Sequence, residues 1–154
     1  MNSLIIVYSY HHNNTDKVAN EFSEVLNAEV KPPDQVAVES LENYDLIGFG
    51  AGIDSGRHYK PLLDFVEQLP TVTDKAGFIF STSGVQGDKK VKKDHSLLRG
   101  ILEAKGYIIV GEFSCLGHNT NLFLKYFGGM NKGRPNQKDL NNARVFAERL
   151  KGKL

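Results

Sequence analysis

Leu4-Ile5-Ile6-Val7-Tyr8-Ser9-Tyr10-His11-His12-Asn13-Asn14-Thr15-Asp16-Lys17-Val18-Ala19 is the stretch on which the fold turns. A short apolar run stops abruptly in small, polar and His/Tyr residues. Helical spacing follows, with Val18, Ala19, Phe22, Val25 and Leu26 on one face, and predicts a helix over Thr15–Leu26 that Asn13 or Asn14 can cap. A buried parallel strand that turns into a helix N-terminus aims several backbone N–H groups at one spot, and a phosphate suits that spot. Side chains of Ser9, Asn13, Asn14 and Thr15 can add hydrogen bonds. The loop holds no Lys or Arg, so an anion there is bound by neutral dipoles.

The same alternation continues downstream. Ala28–Lys31 reads as a short edge strand stopped by Pro32-Pro33, and Val38–Glu42 as a single helical turn. Leu46–Gly50 is a second apolar run. Leu62, Leu63, Phe65, Val66 and Leu69 follow at helical spacing, closed by Pro70. Ala76–Phe80 is a third central strand, ending in Ser81-Thr82-Ser83-Gly84. His95–Lys105 reads as a helix with Gly106 as its cap, and a fourth central strand runs from Tyr107 through Phe113. A long Gly-rich, aromatic stretch precedes a last helix over Asp139–Leu150. Alternating strands and helices imply a parallel sheet covered on both faces, and right-handed crossovers leave few topologies. In such a sheet the ligand lies beyond the carboxyl ends of the strands, so the loops after Tyr8, Gly50 and Phe80 are expected to converge on one ligand.

Composition narrows the class. The 154 residues suit one α/β domain. No apolar run is long enough to span a membrane, and the N-terminus lacks the basic flank of a signal peptide. Cys115 is the single cysteine, which excludes an intrachain disulfide and fits the cytoplasm. Residues 1–84 carry 5 Lys/Arg against 12 Asp/Glu, and residues 85–154 carry 14 against 6. The halves therefore differ in sign, with Lys89, Lys90, Lys92 and Lys93 the densest cluster. This reads either as two solvated faces or as a partner-docking surface. No aromatic–basic interleaving supports nucleic-acid binding.

Several nucleotide and phosphate chemistries fall away. No GxGxxG follows Tyr8, and Gly48-x-Gly50-x-Gly52 has the wrong spacing and position for that motif. No Gly-Lys-Ser/Thr occurs. The residues after Cys115 contain none of the Arg that a cysteine phosphatase loop would use, so Cys115 reads as a small buried strand-end residue. A receiver domain places acidic groups at its strand ends, where Ser9 and Ala51 stand here.

Tyr8 through Thr15 resembles the phosphate loop of flavodoxins, most firmly at Asn14-Thr15; His11 and His12 stand in place of the usual Thr-Thr. Gly50-Ala51-Gly52-Ile53-Asp54-Ser55-Gly56-Arg57-His58 resembles that family's second flavin loop, and Ser81-Thr82-Ser83-Gly84 its third. Lys132-Gly133-Arg134-Pro135-Asn136 followed by Asp139-Leu140 resembles the lead into its last helix. The resemblance implies a three-layer, doubly wound, five-stranded parallel sheet of order 2-1-3-4-5 with FMN at the switch point; flavodoxins are the type example of that order. It implies that Ser9, His11, Asn13, Asn14 and Thr15 surround the phosphate, with Tyr10 and His12 in the same cofactor-binding loop; His11 and His12 read alternatively as a solvated loop pair. Ile53, Asp54, Ser55 and Gly56 would then lie along the ring edge, with Ala51, Gly52 and His58 also binding the cofactor and Thr82, Ser83 and Gly84 on its pyrimidine side. It further implies a flip of the peptide at Ser55-Gly56 that stabilises the flavin semiquinone. The chain has no Trp, which leaves His58, Tyr59, Tyr10, Tyr126 and Phe127 as candidates to cover the ring.

The expected function is electron transfer by an FMN carrier, acting as a monomer with a redox partner protein or a quinone-like small molecule, without metal. The alternative is an FMN-dependent oxidoreductase, such as a quinone reductase or a protoporphyrinogen-oxidase-like enzyme, with a pocket built partly by residues 116–134. Flavodoxins are strongly acidic, whereas this chain is near neutral with a basic second half, and Lys89–Lys93 is expected close to the flavin.

Overall fold

Apolar runs at Ser3–Tyr8 (β1), Leu46–Asp54 (β3) and Lys75–Ser83 (β5) form the centre of one sheet in the computed structural model, which describes residues 1–10, 13–117 and 131–154. Glu29–Lys31 (β2) and Tyr107–Leu116 (β6) flank them, giving the parallel order β2-β1-β3-β5-β6. This is the expected 2-1-3-4-5 path. A further strand, Arg57–His58 (β4), lies off it as a two-residue arm antiparallel to the end of β3. The sheet thus has six strands rather than five. The arm exists because Asp54-Ser55-Gly56-Arg57 closes a tight hairpin, with φ of 55° at Ser55 and 80° at Gly56. Positive φ at both central residues is the geometry of a type I′ turn.

Helices Asn14–Leu26 (α1) and Gln137–Lys153 (α5) cover one face. Lys60–Glu67 (α2) and Ser96–Ala104 (α4) cover the other, and Asp88–Asp94 (α3) sits against α4 and β4. Two cores result. Leu4, Ile6, Ile47, Phe49 and Ile79 pack with Leu62, Val66, Leu98 and Leu102 of α2 and α4. Ile5, Val7, Phe78 and Phe80 pack with Val18, Phe22, Ala143 and Ala147 of α1 and α5. The period-two alternation along each strand sorts these residues between the two faces.

Gly48, Gly50 and Gly52 find their reason here. A Cβ on Gly48 would lie 2.3 Å from the Phe78 ring, and one on Gly50 equally close to Phe80. One face of β3 is left bare so that these rings can lie across it, edge-on to Phe22 at 5.5 and 5.1 Å. Gly52 is bare for Tyr59, whose ring would be 2.5 Å from an added Cβ.

Element ends depart from the sequence reading in ways that physical detail explains. Asn13 sits at the start of α1 in the left-handed region, φ 53°, and makes no side-chain cap; neither asparagine caps the helix as expected. The last helix begins earlier, at Gln137, because Asn136 and Asp139 form a reciprocal capping box. Between Gly77 and Phe78 the β5–β6 register slips, leaving Val110 as an extra residue on β6. Lys153 Nζ donates to the Val110 carbonyl at 2.9 Å.

Candidate functional site

The three loops meet at one end of the sheet. Tyr8, Ala51, Ser81 and Ser114 form one row across β1, β3, β5 and β6, and Gly52, Thr82 and Cys115 form part of the next. Ser9 and Tyr10 therefore leave β1 at the level where the 50s and 80s segments leave their strands.

At the first loop, the Lys17 N–H closes the first helical bond onto the Asn13 carbonyl at 3.2 Å. The amides ahead of it project from the helix end, where they favour an anion. Thr15 is buried, and its hydroxyl lies 2.9 Å from that of Thr82, tying the first loop to the third. Asn14 is buried as well and packs on Gly117, where an added Cβ would come within 2.7 Å of its Nδ2. The Ser9 hydroxyl is buried without a hydrogen-bond partner among the described residues. A buried hydroxyl left in that state costs about 1–3 kcal/mol, so its surroundings suit a polar ligand. Asp16, in the first turn, has its carboxyl pKa raised by burial. His11 and His12 lie outside the described residues, as do Tyr126 and Phe127.

The third loop is braced from several sides. The Ser83 hydroxyl donates to the Val85 carbonyl at 2.7 Å and accepts from Gln86 Nε2 at 2.9 Å. The Gly117 N–H donates to the Ser83 carbonyl, and Asn131 Nδ2 to that of Gly84 at 2.7 Å. Thr82 and Ser83 are buried, and Gly84 is half-buried.

The second loop is a hairpin tip. Ala51 and Gly52 are buried in the sheet, Ile53 is half-buried, and Asp54, Ser55 and Gly56 are exposed. Rotating the Gly56–Arg57 peptide must turn Arg57, which is paired with Asp54. Rotating the Ser55–Gly56 peptide must carry Ser55, already at φ 55°, out of the left-handed well toward backbone that only glycine occupies readily. The freedom of Gly56 alone does not make the expected flip cheap.

His58 requires a correction. It is 1% exposed and turned into the protein, so it does not offer its ring to a flavin. Its Nε2–H donates to the Phe80 carbonyl at 3.0 Å, pinning the hairpin arm to β5. Burial, with His95 beside it at a ring separation of 4.9 Å, pushes its pKa down to about 3. Among the described residues the exposed aromatic beside these loops is Tyr10, 66% exposed, backed edge-on by Tyr59 at 6.1 Å, which in turn packs on Tyr8 at 6.0 Å.

Beneath the second and third loops lies a polar network that the sequence reading missed. His95 is fully buried; its Nδ1–H donates to Glu112 at 2.9 Å, and its Nε2 is 2.7 Å from the Ser81 hydroxyl. Ser81 reaches Ser114 at 2.9 Å, and Arg99 binds both Glu112 oxygens at 2.7 and 2.8 Å. Burial alone would raise the Glu112 pKa, but the bonds from His95 and Arg99 hold it down at about 2. A charged Glu112 placed mid-strand within β6 was the one available signal, since a strand carboxylate packed against a helix calls for a partner.

The described residues hold no cluster of His, Cys, Asp and Glu fit for a metal ion, and no described helix is long and apolar enough to cross a membrane.

Comparison with known proteins agrees with this architecture. A flavodoxin domain family model matches residues 5–150. An uncharacterized protein of Methanocaldococcus jannaschii is 43% identical over 150 residues, 97% of this chain and 98% of that one. Oxidised flavodoxin 2 from Bacillus cereus superposes with a TM-score of 0.75 over 100% of both chains at 16% identity. A Fusobacterium nucleatum flavodoxin bound to flavin mononucleotide superposes at 0.65, over 100% of this chain and 99% of that one, at 12% identity. Such low identities speak to the fold; the family match over nearly the whole length speaks to descent, and the chain belongs to the flavodoxin family.

Proposed function

We propose that this chain binds FMN at the meeting point of the three loops and serves as an electron carrier for a redox partner protein in the cytoplasm, where its lone Cys115 stays reduced. The observation that carries the reading is the buried Ser9 hydroxyl, without a hydrogen-bond partner among the described residues, at the N-terminal end of α1, a polar demand with no cation in the described part of the loop. Family membership and the FMN held by the Fusobacterium relative support it. Bound FMN would supply the redox chemistry.

The residues divide the work. Ser9, Asn14, Thr15 and the first amides of α1 bind the phosphate, with Asn14 held in place by Gly117. The Thr15–Thr82 bond keeps the phosphate end and the third loop at fixed separation. Ser83 and Gly84, braced by Gly117 and Asn131, present backbone groups to the ring. The Asp54–Arg57 hairpin borders the ring edge, anchored from below by His58, and Tyr10 shields a face from water.

FMN titration of the stripped protein, followed by quenching of flavin fluorescence, tests this directly. Asn14→Ala with Thr15→Ala removes hydrogen bonds to a charged group worth about 1.5–3 kcal/mol each, so affinity should fall by about a hundredfold or more. An unchanged affinity sinks the assignment. Steady reduction of a quinone by NAD(P)H would instead identify an FMN-dependent oxidoreductase.

A further inference from the structure

We propose that the face around the Asp54–Arg57 hairpin is a docking surface for an acidic redox protein, one that carries its carboxylates around its own electron-transfer centre. This rests on the carrier reading and names the partner's chemistry.

α3 carries Lys89, Lys90, Lys92 and Lys93. Lys90 is spent on the buried Asp94; Lys89, Lys92 and Lys93 are exposed and make no ion pair among the described residues. The end of α3 stands against the hairpin, since Asp94 Oδ1 is 3.9 Å from where a Gly56 Cβ would be. Arg57, on the hairpin itself, is exposed. From the other side the Asn131–Gly84 bond draws the exposed Lys132 up to the third loop. Arg99 adds no free charge, because Glu112 neutralises it. The carboxylates on this face are Asp54, Asp88, Glu67 and Asp64, the last of them paired with Lys60, and the unpaired cations outnumber the rest.

Two apolar side chains stand among these cations. Val85, in the third loop, is 52% exposed, and Leu97 is 41% exposed. Leu97 lines a cleft of about 340 Å³ with Ser55, Arg57 and Tyr59. Apolar contacts inside a charged rim are the anatomy of a protein–protein interface. The lysines supply long-range attraction, and Val85 and Leu97 supply the short-range contact beside the ring edge. Other acidic residues of the first half are engaged away from this face; Glu21 and Glu24, for instance, are bridged by Arg144 across α1 and α5. In use, one electron leaves the partner's centre, which is oxidised, and enters the flavin, which is reduced.

The test uses the full FMN-loaded chain and an acidic plant-type iron–sulfur ferredoxin as probe. Calorimetric titration measures binding of the oxidised ferredoxin, and stopped-flow mixing with reduced ferredoxin measures electron entry. Binding should weaken about tenfold or more between about 20 and about 300 mM NaCl as the charges are screened. Lys89→Glu, Lys92→Glu and Lys93→Glu together should weaken binding and slow electron entry by about tenfold or more, with the Gln triple intermediate. Reduction of the triple variants by a small neutral donor should match the parent. Ferredoxin binding indifferent to the lysines, tighter binding of basic cytochrome c, or displacement of ferredoxin by a DNA duplex would each overturn the docking surface. A chain that takes up no FMN yet binds ferredoxin through these lysines would instead defeat the carrier reading and leave the surface standing.

Discussion

Lowering the pH from about 7.5 to about 5 should destabilise this protein through His58, by about 2 kcal/mol. The imidazole is 1% exposed, its Nε2–H is committed to the Phe80 carbonyl, and its Nδ1 has no partner among the described residues. Its pKa falls from 6.5 to about 3, first through burial and then through His95. The fold therefore holds it neutral, while the unfolded chain takes up a proton below 6.5. Because the folded value is depressed, the stability is whole above 6.5 and is lost progressively as pH falls toward 3. At pH 5 the unfolded chain is favoured by a factor of about 30, or about 2 kcal/mol at 1.36 kcal/mol per pH unit. Glu112, whose folded value is near 2, loses its own contribution chiefly below 4.5 and barely enters this window. Urea unfolding followed by circular dichroism at the two pH values, for the parent and His58→Gln, isolates the effect. Glutamine keeps an N–H for Phe80 and cannot titrate. The parent should lose about 2 kcal/mol more than the variant. Equal losses in the two proteins would refute the reasoning.

Gly50→Ala should cost about 1–3 kcal/mol in urea unfolding, because its Cβ meets Phe80 at 2.3 Å, whereas Gly100→Ala, with open space around it in α4, should be neutral or stabilising. Asp139→Ala removes both Arg134 contacts, at 2.5 and 2.7 Å, and half of the capping box; a loss of about 1–2 kcal/mol in the same assay is expected. Cys115 is buried, and burial pushes its thiol up to about 12, so iodoacetamide should label it only after unfolding; mass spectrometry of the native protein at about pH 8 should find it unmodified.

The strand and helix order was readable because each element carries its own periodicity: β1 as an unbroken apolar run, α1 as Val18, Ala19, Phe22, Val25 and Leu26 on one face. The meeting of Ser9, Gly52 and Thr82 at one sheet edge was readable for the same reason, since parallel strands with right-handed crossovers leave their loops at a common end. The capping box was present in the spacing of Asn136 and Asp139. His58 was different. From the sequence it was one more aromatic beside the ring, and nothing local says that a hairpin arm turns it inward.

What the chain determines by itself is what depends on neighbours in sequence: which segments are strands, which face of each helix is apolar, and that the first loop carries no Lys or Arg. What only the tertiary structure decides depends on residues far apart in the chain. Phe78 and Phe80 lying over Gly48 and Gly50, the Thr15–Thr82 bond, and the burial of His58 against His95, itself held by Glu112, all join different elements. Burial and long-range partners set whether a histidine is a ligand to a cofactor or an anchor beneath it, and neither quantity exists until the sheet is assembled.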